Sequence, residues 1–269
     1  MDVAEISRLA AYEDWYWWHR ARRRIIDRLL QRALGEGDAT RRILDVGAGT
    51  GATSQALRKY GRVMAVDLST EATIVARRRG LDVARMDAGN LAFPDASFDV
   101  VVVLDVIEHL EDDAAAVREL RRVLKPGGVL LATVPAYKWL WSSHDVANHH
   151  FRRYRQSELR RLLRGGDFHV EVCSYVMMSM LIPAAAYRLL EHLPGRKVAD
   201  DEAHVRFTPV PPLINWALSH VAAWGGYFAG RVWLPFGLSI AAVARKPLDA
   251  PRAASDESSG TPAGRPSST

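Results

Sequence analysis

The chain has a single cysteine, Cys173, among 269 residues. One thiol excludes a disulfide within the chain. With 48% apolar and 25% charged residues, a chain of this length can bury a stable core without a disulfide or a structural metal ion. Scarcity of cysteine fits a reducing compartment, and we expect a cytoplasmic protein.

Other features are also missing from the sequence. Residues 1–14 carry acids and no apolar core of the kind that a signal peptide has. The apolar stretch 209–230 approaches the ~20 residues that span a bilayer, but it opens with three prolines and contains polar residues. We therefore expect interfacial helices or helices that close a pocket, with peripheral contact at the inner face of a membrane left open.

Positive charge exceeds negative charge by five, and arginines occur in clusters such as 20–24, 77–79 and 152–155. Such clusters suit nucleic acid, anionic lipid or a phosphorylated substrate. Arginines on solvated faces explain the same excess. Composition alone leaves this choice open.

Residues 43–51, Ile-Leu-Asp-Val-Gly-Ala-Gly-Thr-Gly, are the most informative segment. The apolar run predicts a buried strand, and the glycines predict a tight turn that lets a ligand approach the backbone. The helix that follows would direct its N-terminal amides at that ligand. The segment therefore predicts a nucleotide-like cofactor. It also satisfies the looser dinucleotide fingerprint, so an NAD(P)-binding oxidoreductase remains an alternative, as does a turn without a ligand.

Strands and helices alternate along the chain. Alternation of this kind predicts a doubly wound, Rossmann-like α/β fold with helices on both faces of a mostly parallel sheet. The predicted strands are 42–46, 62–67, 83–86, 98–104, 129–134, 169–175 and 238–245.

Acids follow two of these strands. Asp67 ends the second strand, 16 residues after Gly51, where a carboxylate can accept both ribose hydroxyls of an adenosine. Capping of the next helix is the competing interpretation of Asp67. Asp87 follows the third strand, where it can reach an adenine amine.

Taken together, the motifs in the first half of the chain resemble the class I S-adenosylmethionine-dependent methyltransferases of the type 11 group. Those motifs are Leu-Asp-Val-Gly-Ala-Gly-Thr-Gly (44–51), Val-Asp-Leu-Ser (66–69), Asp-Ala (87–88), Leu-Ala-Phe-Pro-Asp (91–95) with Ser-Phe-Asp (97–99), Asp-Val-Ile-Glu-His (105–109) and Leu-Lys-Pro-Gly-Gly (124–128). They occur in the family's order and spacing. The resemblance implies a seven-stranded sheet whose last strand is antiparallel.

It also implies S-adenosylmethionine as the cofactor and a role for each matching residue. The glycine loop would approach the methionine part and the ribose, with Asp45 orienting the loop or reaching the cofactor amine. Arg20 or Arg23, on a helix that resembles the family's lid, would pair with the cofactor carboxylate, although this aromatic, basic helix could equally be core with a solvated face. The cofactor residues implied in this way are Asp45, Gly47, Ala48, Gly49, Gly51, Asp67, Leu68, Asp87, Ala88, Leu104, Asp105 and Arg20.

The loop after the fifth strand, residues 137–154, should overhang the cofactor. We predict His144 as a general base with His150 second, and the predicted acceptor-binding residues are Trp141, Asp145, Arg152, Arg153 and Tyr154. A metal at His144, Asp145, His149 and His150 is disfavoured because no cysteine or helical spacing supports it. A loop held together by aromatic packing and histidine hydrogen bonds is the alternative.

The sequence therefore predicts methyl transfer to a small or lipid-linked acceptor, such as a saccharide or prenyl-type lipid, at oxygen or carbon. Nucleic acid is the less favoured acceptor. In the family, an Asn-Pro-Pro-Tyr type of sequence at the end of the fourth strand marks planar amine acceptors, and this chain has Leu-Asp-Val-Ile (104–107) there. A non-catalytic, membrane-peripheral protein that retains the cofactor fold is a further alternative. The predicted segments are a helical lid (1–40), the core (41–175), an apolar helical insertion over the acceptor site (176–237), the last strand (238–247) and a disordered tail (248–269).

Overall fold

The computed structural model describes residues 3–191, 210–224 and 234–248. Seven strands form one sheet in the order β3-β2-β1-β4-β5-β7-β6. The strands are β1 (Arg42–Val46), β2 (Arg62–Asp67), β3 (Asp82–Arg85), β4 (Phe98–Leu104), β5 (Leu124–Pro135), β6 (His169–Val176) and β7 (Ser239–Arg245). The disordered tail predicted for 248–269 lies almost wholly outside the described residues.

Strands β1 to β5 are parallel, and β7 inserts between β5 and β6, antiparallel to both. The predicted mixed sheet with an antiparallel last strand is confirmed. Residues Val100 to Val103 of β4 are at most 1% exposed, because helices cover both faces of the sheet. An uninterrupted β-branched run is typical of such a central parallel strand.

Nine helices surround the sheet in the part of the chain that the structure describes. They are α1 (Val3–Tyr12), α2 (Trp17–Leu34), α3 (Ala52–Leu57), α4 (Thr70–Arg78), α5 (Asp113–Val123), α6 (Ser143–Ala147), α7 (Gln156–Gly165), α8 (Leu181–Glu191) and α9 (Pro212–Ala223). Side chains of Ser69 and Asp112 accept hydrogen bonds from backbone amides of α4 and α5, which explains where these helices begin.

Two apolar cores lie on opposite faces of the sheet. One contains Leu120 of α5 and Leu159 of α7 against β4, β5 and β7. The other contains Ile25 and Leu29 of α2 with Ala222 of α9. The segments predicted as lid and insertion therefore contribute to the same core.

The structure departs from the sequence expectations at three places. The N-terminal helical region is two helices, α1 and α2, with a turn at residues 13–16. The predicted irregular loop at 137–154 contains the five-residue helix α6, since Asp145 accepts hydrogen bonds from the backbone and hydroxyl of Ser142 at its start. The Pro-Gly-Gly segment lies inside β5, which begins at Leu124 immediately after α5.

Asn215 of α9 ties the apolar insertion to the turn between α1 and α2. Its side chain accepts a hydrogen bond from the Trp17 amide and donates one to the Trp15 carbonyl, both at 2.7 Å. Arg24 of α2 donates to the Ser219 hydroxyl at 2.6 Å. Within the described ranges, no helix has the length and apolar character needed to cross a bilayer.

We predict that Asn215→Ala destabilises the protein by about 2 kcal/mol or more, because Asn215 is 5% exposed and its loss leaves two backbone groups unpaired. Urea denaturation measures the change. Leu213→Ala, at a 77% exposed position of the same helix, is the matched control and should have little effect. Equal stability of the two variants would contradict this account of how α9 is held.

Candidate active site

The loop after β1 crosses onto the end of β2. The amides of Gly47 and Ala48 both donate to the Val66 carbonyl, at 2.8 and 3.0 Å. Gly47 has φ of 71°, and a Cβ there would lie 2.2 Å from a methyl carbon of Val106. A side chain is therefore excluded at Gly47 by both conformation and space.

Gly49 lies at the apex of this loop and contacts Asp67. Its amide donates to one carboxylate oxygen of Asp67 at 2.7 Å, and the Ser69 amide donates to the other at 2.9 Å. A Cβ on Gly49 would meet no atom within 4 Å, so the space above the loop is open. Each carboxylate oxygen has a second acceptor site. Asp67 can therefore serve the loop and still accept ribose hydroxyls.

Asp45 belongs to the interior. It is 2% exposed and accepts a hydrogen bond from the Ser54 hydroxyl of α3 at 2.6 Å. Burial raises the pKa of Asp45 to about 7, against the opposing effect of Ser54. Of the two roles implied for Asp45, this geometry supports orientation of the loop and not contact with a cofactor amine.

The other predicted cofactor residues lie along the same edge, because parallel strands present their carboxyl ends together. Leu68 is 61% exposed, and Asp87 is also exposed, with one carboxylate oxygen accepting the Gly89 amide at 2.8 Å. Leu104 and Ala88 are half-buried. The edge has the position at which open α/β sheets bind ligands.

Asp105, directly after β4, is half-buried with φ of 53°. It accepts a hydrogen bond from the Thr133 hydroxyl at 2.9 Å and forms an ion pair with Arg22 of α2. Tyr137 and Met177, after β5 and β6, also have positive φ. Three of the six described non-glycine residues with positive φ therefore lie just after strands at this edge, and such backbone strain is common at functional sites.

The turn between α1 and α2 packs on the glycine loop. Buried Glu13 accepts a hydrogen bond from the Thr50 hydroxyl and pairs with Arg79 at 2.7 Å. Burial raises the pKa of Glu13 above its usual range, against the opposing effects of Thr50 and Arg79. Arg23 donates to the carbonyls of Glu13 and Asp14 at 2.7 and 3.0 Å, so it holds the turn. Arg20, the predicted partner of a cofactor carboxylate, lies half-buried in the first turns of α2.

Asp145 organises the loop between β5 and α7. It is fully buried and accepts hydrogen bonds from His150 Nδ1 at 2.8 Å and Arg153 Nε at 2.7 Å. Burial alone would raise the pKa of Asp145, but these two partners hold it well below its usual range. Arg153 is 5% exposed and also donates to the Ala136 carbonyl. Asp145 and Arg153, predicted to bind the acceptor, hold the loop together in this structure.

Two other predicted acceptor residues have protein partners as well. Arg152 pairs with Asp113 at 3.1 Å and donates to the Glu111 carbonyl at 2.6 Å. Tyr154, 4% exposed, donates to Asp113 at 2.8 Å. Direct contact between Tyr154 and an acceptor would require the loop to open, whereas Arg152 is half-buried and would have to share its guanidinium with Asp113. Trp141 is half-buried and is the predicted acceptor residue for which the structure places no charged partner in the described chain.

His144 lies in α6, half-buried, with the Asn148 amide 3.2 Å from one ring nitrogen. Burial, and secondarily the charge of Arg188, lower the pKa of His144 to about 4. The imidazole is therefore neutral at physiological pH and available as a base. His150 instead directs Nδ1 at Asp145, so its other nitrogen faces a different group of residues.

That group contains Glu108 and His109, to which the sequence analysis gave no role. Both carboxylate oxygens of Glu108 are buried without a hydrogen-bond partner on another residue that the structure describes. Burial, reinforced by Asp105, raises the pKa of Glu108 well above its usual range. The rings of His109 and His150 lie edge to face with centroids 4.5 Å apart. An adjacent acid and histidine just beyond a strand end were the signal available in the sequence.

Part of this core matches a known protein family. The family model described as "Methyltransferase domain" matches residues 44–132. A probable S-adenosylmethionine-dependent methyltransferase of Mycolicibacterium smegmatis is 35% identical over 160 residues, covering 58% of this chain and 60% of that protein. Residues 44–132 of the chain therefore match a methyltransferase domain. The cofactor of this family is S-adenosylmethionine, as the relative's name states.

Other similar proteins have more specific names. A ubiquinone biosynthesis O-methyltransferase of Xanthomonas oryzae is 32% identical, over 48% of this chain and 63% of that protein. A ubiquinone/menaquinone biosynthesis C-methyltransferase of Cupriavidus pinatubonensis is 35% identical, over 39% and 48%. The chain thus spans less than two thirds of these curated relatives.

Solved structures share the methyltransferase fold. A methyltransferase of Thermotoga maritima superposes with a TM-score of 0.57 at 18% identity, covering 91% of this chain and 96% of that one. A phosphoethanolamine N-methyltransferase of Haemonchus contortus, solved with S-adenosyl-L-methionine, gives 0.54 at 20% identity, covering 82% and 52%. At these identities the likeness shows the fold alone.

We predict that Gly49→Ala weakens binding of S-adenosylhomocysteine by at least about tenfold, equivalent to about 1.4 kcal/mol, because the new methyl group projects into the open space above the loop. Isothermal titration calorimetry measures the affinity. Gly80→Ala is the matched control, since Gly80 also has positive φ and no atom within 4 Å of an added Cβ.

Both variants should lose about 1–2 kcal/mol of stability from the left-handed backbone conformation. Only the Gly49 variant should lose affinity. Equal affinity of the two variants would contradict the placement of the cofactor above Gly49.

Proposed function

We propose that this chain is an S-adenosylmethionine-dependent methyltransferase that acts on a small or lipid-linked acceptor at oxygen or carbon. The observation that carries the proposal is the glycine loop after β1 joined to Asp67 after β2, inside the segment that matches the methyltransferase family. Open space above Gly49 and unused acceptor sites on Asp67 fit an adenosyl group.

When bound, the cofactor supplies a methyl group already activated on a sulfonium. The chain then has to hold the acceptor in line with that methyl and to exclude water. The ion pair between Arg22 and Asp105 joins the helical lid to the end of β4, so it closes one side of the cleft. The hydrogen bond from the Thr50 hydroxyl to Glu13 closes another side of the cleft, over the glycine loop.

The acceptor is proposed to carry an apolar portion. Support comes from exposed apolar side chains on α8 and α9, among them Ile182 and Leu213 at 77% and Trp216 at 53%. A group of exposed apolar side chains on one helix, such as Leu213, Ile214 and Trp216 of α9, is typical of lipid or partner contact. Two relatives are named for ubiquinone or menaquinone biosynthesis, which is in keeping with this proposal. Peripheral contact with a membrane surface is part of this proposal.

A general base is needed when the acceptor is a hydroxyl. We assign this role to His144, whose pKa of about 4 keeps it neutral. A depressed pKa makes the base weaker, but a bound sulfonium lowers the demand on it, because the methyl donor is already activated. His150 has a different orientation, because Asp145 holds its Nδ1.

Incubation of cell extract with methyl-labelled S-adenosylmethionine tests the proposal. The protein should transfer label to one product found by mass spectrometry, and partition of that product into the organic phase should show that the acceptor is lipid-linked. Asp67→Asn should reduce the transfer by raising KM for the cofactor, because it removes a charged acceptor of ribose hydroxyls. Asp82→Asn, at the opposite end of the sheet, is the control. Binding of NADH with no binding of S-adenosylhomocysteine would overturn the proposal.

For a hydroxyl acceptor, we predict that His144→Ala lowers kcat by about 10²–10⁴, the usual contribution of a general base. His144 is neutral at pH values above its folded-state pKa. As the pH is lowered, kcat/KM should therefore decrease with a midpoint near pH 4, not near the ordinary histidine pKa of about 6.5. His149→Ala, at an exposed neighbouring position, is the control. Full turnover by His144→Ala would remove His144 from the mechanism.

A further inference from the structure

Glu108, His109 and His150 lie together at the edge of the sheet that carries the cofactor positions. One ligand atom from each residue lies within 4.8 Å of the other two. Metal bonds of about 2.0–2.2 Å place tetrahedral ligand atoms about 3.3 Å apart, so small side-chain rotations would bring all three to one centre. The hydrogen bond from the Phe151 amide to the Glu108 carbonyl, at 2.8 Å, holds the loop in this position.

The carboxyl group of Glu108 is buried without a cationic partner of its own. The side chain of Glu108 is 0% exposed, and neither oxygen has a hydrogen-bond partner on another residue in the described part of the chain. A buried carboxylate without a partner costs several kcal/mol, so it is normally protonated or bound to a cation. Arginines are close, but Arg22 pairs with Asp105 and Arg153 pairs with Asp145. Each arginine thus already balances another carboxylate, so neither provides Glu108 with a dedicated cationic partner.

The orientation of His150 also favours a bound cation. Its Nδ1 is 2.8 Å from Oδ1 of Asp145, which leaves Nε2 as the nitrogen available to a ligand. A carboxylate on the far nitrogen is the usual support of a metal-bound histidine, because it sets the tautomer and the ring orientation. Asp145 is fully buried and is itself held by the Ser142 amide.

We propose that Glu108, His109 and His150 form a binding site for one divalent transition-metal ion, with zinc the best chemical match. Two imidazoles and one carboxylate are a known zinc set that leaves a fourth position open. Imidazole nitrogen selects zinc, iron, nickel or copper over magnesium or calcium. This set differs from the one disfavoured in the sequence analysis, since it takes Glu108 and His109 from the segment after β4 and only His150 from the loop.

An ion at this site would be a Lewis acid at the edge of the sheet where the acceptor is proposed. Its open position could hold a water molecule or an acceptor oxygen. The inference concerns metal binding and does not rest on methyl transfer, so the two proposals fail in different experiments.

Metal titration of untagged protein stripped with a chelator tests the site. Zn²⁺ and Co²⁺ are titrated in competition with a chromophoric chelator, and the expected result is one ion per chain. Glu108→Gln and His109→Gln should each weaken binding by at least about tenfold, the loss seen even when an outer partner of a metal ligand is removed. Glu111→Gln and His169→Gln, at exposed positions, are the matched controls.

Several outcomes would overturn the proposal. Absence of saturable binding by the unmodified protein would show that Glu108 is simply a buried, protonated acid. Equal affinity of the two ligand variants and their controls would place the ion elsewhere.

Circular dichroism shows whether each variant is folded. Should Glu108→Gln fail to fold, the Co²⁺-loaded unmodified protein still decides the question. Its absorption spectrum should show the intense bands of a four- or five-coordinate ion with nitrogen ligands, and the weak bands of a hexa-aqua ion would contradict the site.

Discussion

Parallel alignment of four neighbouring strands is the constraint on which the rest of this structure depends. Strands β3, β2, β1 and β4 run side by side, so their carboxyl ends meet at one edge. The hydrogen bond from the Gly49 amide to Asp67 then joins the loop after β1 to the end of β2. That alignment creates the kind of edge at which open α/β sheets bind ligands, because each strand contributes a turn or a carboxylate to it.

A second constraint is the buried Asp145. It accepts hydrogen bonds from His150, Arg153 and Ser142, and these bonds hold the polar loop between β5 and α7 in one packed conformation. The same contact directs His150 toward Glu108 and His109. Asp145 and Arg153, which the sequence suggests as acceptor ligands, therefore bind each other. Glu108, to which the sequence analysis gave no role, lies in the candidate metal site.

Much of the fold was predictable from local pattern. The bounds of β1, β2 and β4 agree with those read from the sequence, because buried parallel strands are short β-branched runs that end at glycine or an acid. The break between α1 and α2 was not predictable in this way. It depends on Asn215, about 200 residues further along the chain, which satisfies the backbone of the turn.

The sequence by itself determined the α/β class, since this follows from periodicity. Its motifs, through their resemblance to a known family, implied the antiparallel last strand and the methyltransferase match of residues 44–132. Only the tertiary structure decided which polar residues face the cleft and which face each other. Asp45, Asp145 and Arg153 became interior partners, and Glu108 came to lie beside two histidines. The physical reason is that burial and ion pairing depend on contacts between distant segments, about which the local pattern of a sequence carries no information.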